Sequence, residues 1–219
     1  MIMIDFFEII QLAIILAVSI WLHEYAHAYV SYSLWDPTPK LQNRLTPNPL
    51  RHIDPIWFLM IFLIHFGRGK PVQINPMYYK KPRQWELMVA LAWPATNMIL
   101  AIIGIFIILI YTKVSQIWID SIISWNIDIM TSFWMNFSFI NIALAIFNMI
   151  PIPPLDGFRL IKMFRRKAWE RIEKYTLYIS IFFLILILWP GSNAIWWFLG
   201  NISSAIFNVL FTIFGQIFY

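Results

Sequence analysis

The sequence predicts an all-α integral membrane protein, built as a polytopic bundle of five transmembrane helices plus a short re-entrant or sixth membrane segment. Of its 219 residues, 60% are hydrophobic and only 12% are charged, whereas soluble domains contain about 25% charged residues. Proline-rich and basic loops separate the apolar runs. We expect a single domain over residues 1–219, without an additional soluble domain such as a peptide-binding module.

Five apolar runs are predicted to span the membrane, because a span needs about 20 apolar residues to cross about 30 Å of hydrocarbon. They are residues 6–30, 86–111, 133–149, 175–189 and 194–218. Pro94 interrupts the second run, but membrane helices tolerate proline where neighbours satisfy the freed carbonyl group. Residues 56–66 are apolar but too few for an upright span, so a re-entrant or shallow helix is expected there.

The basic side chains are distributed in a way that predicts orientation. Residues 34–85 contain eight basic and two acidic residues, a net charge of +6. Residues 157–174 contain seven basic and two acidic residues, a net charge of +5. One basic and two acidic residues give −1 to residues 112–131. Since cytoplasmic loops carry the excess of Lys and Arg, both basic regions are predicted to be cytoplasmic. The same distribution argues against nucleic-acid binding despite the overall charge of +5.

The first apolar run contains an HExxH motif, His23-Glu24-Tyr25-Ala26-His27. Histidines four residues apart share one face of a helix and can bind one metal ion. Zinc held by two imidazoles, with the adjacent carboxylate as general base, is the core of a metalloprotease. Each ionisable side chain deep in a span costs about 2.5–3.5 kcal/mol. Three together favour a metal or proton-handling site over the alternative, a buried structural network.

A catalytic zinc usually takes three protein ligands, and with no cysteine in the chain the third must be a histidine or a carboxylate. Asp156 follows a proline run that ends an apolar segment, and Gly157 permits a turn there. Irregular backbone at membrane depth is tolerated only when buried in protein or lining a water cavity. Asp156 is therefore the favoured third ligand, with a helix N-cap as its alternative role. His52 and His65 are weaker candidates, because surface or packing roles are commoner for such histidines.

Two motifs, taken together and in this order, make a highly specific pattern: HEYAH at 23–27 and NMIPIPPLDG at 148–157. Together they resemble the site-2 protease family of intramembrane zinc metalloproteases. Further stretches resemble the small prokaryotic branch of that family, which lacks a PDZ domain: DPTPK at 36–40, RLTPNPLRHIDP at 44–55, KPVQINP at 70–76 and VALAWPATN at 89–97. The resemblance covers roughly residues 10–160. We therefore expect a catalytic core at about 6–160 and a C-terminal helical hairpin at about 175–218.

The resemblance implies one Zn²⁺ per chain. His23 and His27 match the zinc-binding histidines of the family, and Asp156 matches the aspartate ligand of its LDG motif. Glu24 matches the general base that activates water at the metal. From these matches we expect a zinc-dependent endopeptidase within the membrane.

The resemblance also implies roles for two asparagines and shows three departures. Asn97 and Asn148 match residues proposed to hold the substrate backbone or the developing oxyanion, although an interhelical hydrogen bond is an equally good reading of each. The family usually has glycine where this chain has Trp35, Trp93 and Phe158. Small residues let membrane helices approach closely, so Trp93 should push a neighbouring helix away or fill a groove that substrate would use.

The predicted activity is hydrolysis of peptide bonds in or near transmembrane segments of membrane proteins within the lipid bilayer. By the resemblance, substrates would be single-pass regulators such as anti-sigma factors, or signal-peptide remnants. A catalytically inactive membrane binding protein on the same scaffold is the main alternative. A metal or proton transporter is a third possibility, but transport calls for paired broken helices or a repeat, and the sequence shows neither.

Overall fold

The computed structural model describes residues 6–54, 70, 72–115, 129–189 and 191–218. Within these residues the regular structure is entirely helical, which confirms the all-α fold class. The α-helices are α1 (Phe6–Ser33), α2 (Thr38–Leu41), α3 (Pro82–Ser115), α4 (Ile129–Met149), α5 (Phe158–Phe164), α6 (Arg166–Glu173), α7 (Thr176–Leu188) and α8 (Asn193–Phe218). Two 3-10 turns cover Pro49–Arg51 and Pro76–Tyr78.

Among the described residues, four helices are long and apolar enough to cross a membrane: α1, α3, α4 and α8. α3 continues through Pro94 without ending, as the sequence predicted. The predicted span at 175–189 forms α7, which has only 13 residues. At 1.5 Å per residue α7 is about 20 Å long, too short to cross the hydrocarbon upright. Four of the five predicted spans thus reach the required length, and segment 56–66 lies outside the described residues.

The site-bearing helices meet at a shared apolar core. Ile15 of α1, Leu100 of α3 and Phe137 of α4 form one buried cluster. Gly104 allows α3 to approach α4 closely, because a Cβ atom there would overlap the hydroxyl group of Ser138. The resulting contact fixes the three long helices relative to one another.

A second apolar cluster holds the segment after α4. Leu155 from this segment packs against Phe183 and Ile187 of α7, with Phe147 of α4 beside them. The segment is therefore anchored by α7, although α7 is too short to span. The anchored residue directly precedes Asp156.

Candidate metal centre and active site

Three of the predicted ligands come together in the structure. His23 and His27 of α1 and Asp156 from the segment between α4 and α5 each offer one ligand atom, and these atoms lie within 4.8 Å of one another. Asp156 Oδ2 is 3.5 Å from His27 Nε2 and 3.8 Å from His23 Nε2. Bonds of about 2.0–2.1 Å to a tetrahedral zinc place ligand atoms about 3.3–3.4 Å apart. The two distances from Asp156 Oδ2 to the histidines are within about 0.5 Å of this value.

The local sequence explains how Asp156 reaches the histidines. α4 ends at Met149, where a run of prolines prevents it from continuing. The chain then folds back, and the Gly157 amide donates a 2.7 Å hydrogen bond to the Asn148 carbonyl. A Cβ atom at Gly157 would overlap the Met149 and Ile150 carbonyl groups, so only glycine allows this close approach. Gly157 thereby fixes the position of the preceding carboxylate.

The orientation of the His27 ring suits a metal ligand. Its Nδ1 is 3.0 Å from the Val89 carbonyl oxygen and can only donate to that acceptor. In the neutral ring Nε2 then carries the lone pair, and this buried atom has no hydrogen-bond partner among the described residues. Metal-binding histidines typically donate their second nitrogen to a carbonyl or a carboxylate in this way. The unpartnered Nε2 faces Asp156 Oδ2, an arrangement that suits a site built for a cation.

The Asp156 carboxylate has different surroundings at its two oxygens. Oδ2 faces the histidines, whereas Oδ1 is 3.4 Å from Nε of Arg159. Burial by itself raises the pKa of Asp156, but the neighbouring His27 side chain and the positive charge of Arg159 hold it below its ordinary value. The carboxylate is therefore charged, as a metal ligand must be.

Glu24 lies beside the cluster with its two oxygens in separate roles. The residue is buried, and Oε1 is 3.8 Å from His23 Nε2. Oε2 accepts a 3.1 Å hydrogen bond from the Val72 amide. One oxygen is thus held by the loop before α3, while the other faces the candidate metal position. The motif alone did not predict the contact with Val72, which lies 48 residues away.

A cavity of about 1150 Å³ adjoins this cluster. Its walls are mainly apolar and include residues of α1, α3, α4, α7 and α8, with Leu12, Leu16 and Ile20 of α1 leading towards His23. His23, Glu24, His27 and Asp156 all line the same space. The cluster is therefore reachable from an apolar groove within the helical bundle.

Comparisons with known proteins agree with this geometry. The chain is 36% identical over 205 residues to a Bacillus subtilis protein named "Putative zinc metalloprotease YwhC", covering 93% of this chain and 92% of that protein. The sequence model of peptidase family M50 matches residues 113–187.

The chain belongs to peptidase family M50.

A second relative, from Mycobacterium tuberculosis, is named "Putative zinc metalloprotease Rip2" and is 26% identical over 190 residues. This match covers 84% of the present chain and 68% of the relative. No solved structure matches the chain. The predicted resemblance to the site-2 proteases is confirmed, and the protein is a zinc-dependent metalloprotease of the membrane.

The other residues that the sequence singled out in this M50 peptidase, two asparagines and two histidines, differ in whether they reach the cavity. Asn148 lines the cavity, and its Nδ2 donates to the Leu144 carbonyl. Asn97 is fully buried in α3 and does not line the cavity, and neither of its side-chain polar atoms has a partner within the part of the chain that the structure describes. His52 is fully buried away from the ligand cluster, with Nε2 3.0 Å from the Thr46 carbonyl oxygen. His65 lies outside the described residues.

The three departures from the family pattern have distinct structural consequences in the M50 peptidase. Trp35 follows the end of α1 and has a φ of 70°, in the left-handed region that only glycine adopts without strain. Its ring is exposed, and the Lys80 ammonium group lies over it. Phe158 is buried against Trp169. Trp93 lines the cavity, which agrees with the expectation that it fills a groove.

One polar network of the M50 peptidase was missed from the sequence. The fully buried Asp36 carboxylate accepts hydrogen bonds from the Ser31 hydroxyl and from the Thr38 and Asn75 amides, at 2.8–2.9 Å. Ser31 also bonds to the Tyr79 hydroxyl, whose pKa burial raises to about 12. Burial would raise the pKa of Asp36, but these hydrogen bonds lower it below its ordinary value. An Asp-Pro-Thr sequence suggests a local turn, but it cannot reveal a partner 39 residues later.

Proposed function

We propose that His23, His27 and Asp156 bind one Zn²⁺ and that Glu24 is the general base for hydrolysis of peptide bonds in membrane-embedded segments. The observation that carries this proposal is the meeting of three ligand atoms within 4.8 Å, contributed by positions 133 residues apart at the extremes. The unpartnered Nε2 of His27 supports it independently. We also propose that residues 1–219 act as one metalloprotease domain.

In this proposal each side chain at the cluster has one task. His23 and His27 supply neutral imidazole ligands, and Asp156 supplies a charged oxygen ligand. When bound, zinc lowers the pKa of a coordinated water to about 7 and polarises the peptide carbonyl group. Glu24 accepts the proton of the attacking water at Oε1, and it then delivers that proton to the amine of the leaving peptide. The Val72 amide keeps the other oxygen of Glu24 turned away from this exchange.

The apolar groove suits a membrane-embedded substrate. A helical peptide bond is shielded by its own hydrogen bonds, so the substrate segment must unwind locally before its carbonyl group can reach the cluster. The apolar walls can cover the side chains of an unwound segment that leaves the lipid. Asn148 lies on this path and is our candidate for a contact with the substrate backbone. Asn97 is fully buried and is not among the residues that line the cavity, so the helices would need to move before it could make such a contact.

We further propose that the site lies near the cytoplasmic side. His27 is in the last two turns of α1, and Asp156 follows the end of α4. Both ends lead into the strongly basic regions 34–85 and 157–174. Because Lys and Arg are concentrated in cytoplasmic loops, the two ends and the site between them belong on that side. Single-pass regulators and signal-peptide remnants, which the family resemblance implies as substrates, both offer a transmembrane segment to such a site.

The test is cleavage of a single-span reporter, whose helix is weakened by glycine, in liposomes that contain the purified protein. Glu24→Gln should lower the cleavage rate by about 100-fold or more, because general-base catalysis contributes about 10²–10⁴-fold. Zinc content should stay at one ion per chain. Glu8→Gln is the matched control, since it makes the same change at an exposed position of α1 and should leave cleavage unchanged. Equal cleavage by wild type and Glu24→Gln would refute the proposal.

A further inference from the structure

Trp93 occupies an unusual position beside the candidate metal ligands. Its side chain is only 2% exposed. The indole ring meets the His23 ring edge-on, with 3.7 Å between the ring centroids, and lies nearly parallel to the His27 ring at 6.2 Å. Nothing in the proposed proton transfer uses this side chain. A bulky side chain thus forms part of the cavity wall beside the two histidines.

Two kinds of contact fix the indole relative to the ligands: a hydrogen bond from His27 to α3, and packing of the indole on both imidazoles. Val89, one helical turn before Trp93, accepts the hydrogen bond from His27 through its carbonyl oxygen. The same face of α3 therefore orients a ligand and places the indole. Because Trp93 is packed against both imidazoles, it cannot rotate aside without losing these contacts. The protein interior resists such changes, since cores are packed as densely as organic crystals.

The indole also borders the space that substrate must use. Trp93 lines the cavity together with His23, Glu24, His27 and Asp156. A peptide carbonyl group that reaches the ligand cluster brings the side chains flanking its bond next to the indole. Because the ring is packed and almost fully buried, it leaves little room for a branched or aromatic side chain there, whereas glycine or alanine needs little.

We propose that Trp93 is a specificity-determining residue that restricts cleavage to bonds flanked by small side chains. The substrate class is therefore a transmembrane segment with glycine, alanine or serine at the cleavage point. Glycine, and to a lesser degree serine, also weakens a helix, so a cleavage point with these residues would favour local unwinding. This inference rests on the proposed function, because it concerns which peptide bonds the Glu24-dependent reaction accepts.

The test uses reporters that differ only at the two residues flanking the cleaved bond, from glycine through alanine and leucine to phenylalanine. With the wild-type protein, kcat/KM should fall as these residues grow. We expect the alanine reporter to be preferred over the phenylalanine reporter by at least about tenfold, because a misfit in an apolar pocket is worth about 10–200-fold. Equal cleavage of the whole series by the wild-type protein would overturn the inference.

Substitution of Trp93 gives the second half of the test. Trp93→Ala should reduce the preference for alanine over phenylalanine by about tenfold or more while zinc stays bound, and Trp93→Phe should give an intermediate ratio. Trp197→Ala is the matched control, since Trp197 is 71% exposed on α8 and does not line the cavity. If Trp93→Ala does not fold, the ratio of Trp93→Phe decides. An unchanged ratio in the folded variants would overturn the inference.

The two proposals fail in different ways. Cleavage that depends on Glu24 but is indifferent to the size of the flanking residues removes only the role of Trp93. Absence of Glu24-dependent cleavage from every reporter removes the proposed function, and the inference falls with it.

Discussion

Two buried polar clusters lie along the end of α1, and they are satisfied in opposite ways. The Asp36 carboxylate receives three hydrogen bonds from protein donors and needs no ion. In the second cluster, Asp156 Oδ2 and the lone pair of His27 Nε2 face each other at 3.5 Å. Two acceptors so close together repel each other unless a cation or a proton lies between them.

The difference separates a structural cluster from a functional one. Buried polar groups are almost always hydrogen-bonded, so an unpartnered buried atom indicates strain, catalysis or a missing ion. Asp36 ties the end of α1 to the loop before α3 and thereby holds Val72 near Glu24. Glu24, beside the second cluster, depends on this position of Val72 for its hydrogen bond. One cluster therefore contributes stability and the other contributes chemistry.

The largest effect should come from breaking the functional cluster. His27→Ala should lower zinc affinity by more than about 100-fold, because even residues that only orient metal ligands contribute about 10–100-fold. Zinc per chain after dialysis against a chelator measures this. His52→Ala is the control: it removes another buried histidine and should keep its zinc, although the protein should be destabilised. Zinc loss from both variants would show that the comparison is wrong.

Breaking the structural cluster should instead reduce stability. Asp36→Ala leaves the Ser31 hydroxyl and two amides without their acceptor, and each buried unsatisfied group costs about 1–3 kcal/mol. We expect a loss of about 3 kcal/mol or more in the free energy of unfolding, measured in mixed detergent micelles. Ser33→Ala, which removes an exposed hydroxyl group nearby, should change the free energy of unfolding little. A stable Asp36→Ala protein that has lost its zinc would contradict the division of roles.

A smaller effect should distinguish the two oxygens of Asp156. Arg159→Gln removes the partner of Oδ1 and leaves the carboxylate freer to turn. Zinc affinity, measured by competition with a chelating dye, should weaken by about 10–100-fold. Arg171→Gln changes an exposed arginine on α6 and is the matched control. Equal zinc affinity in Arg159→Gln and wild type would mean that the ion pair does not orient the ligand.

The sequence predicted the long helices, and it named a candidate ligand set, because each depends on a strong local pattern. Apolar runs of the length of α1 or α3 have few alternatives to spanning, and HExxH fixes its histidines on one face by helical spacing. Asp156 could be inferred from its proline and glycine neighbours. The candidate ligands come together in the structure as the prediction required.

Other features could not be predicted because they depend on contacts between distant parts of the chain. The Asp36–Asn75 and Glu24–Val72 hydrogen bonds join residues 39 and 48 positions apart. The basic stretch 157–174 gave no clear helical signal, yet α5 and α6 form there. The predicted span at 175–189 included Tyr175 and Trp189, but both flank α7, which leaves a helix too short to span.

The central claim is that zinc is held by two imidazoles and one carboxylate, with water completing the site. X-ray absorption spectroscopy at the zinc edge tests this most directly on the purified protein. The account predicts two imidazole ligands and oxygen ligands, all at about 2.0–2.2 Å. Asp156→Ala should remove one oxygen ligand or abolish binding. A spectrum with three imidazoles, or one unchanged in Asp156→Ala, would contradict the account.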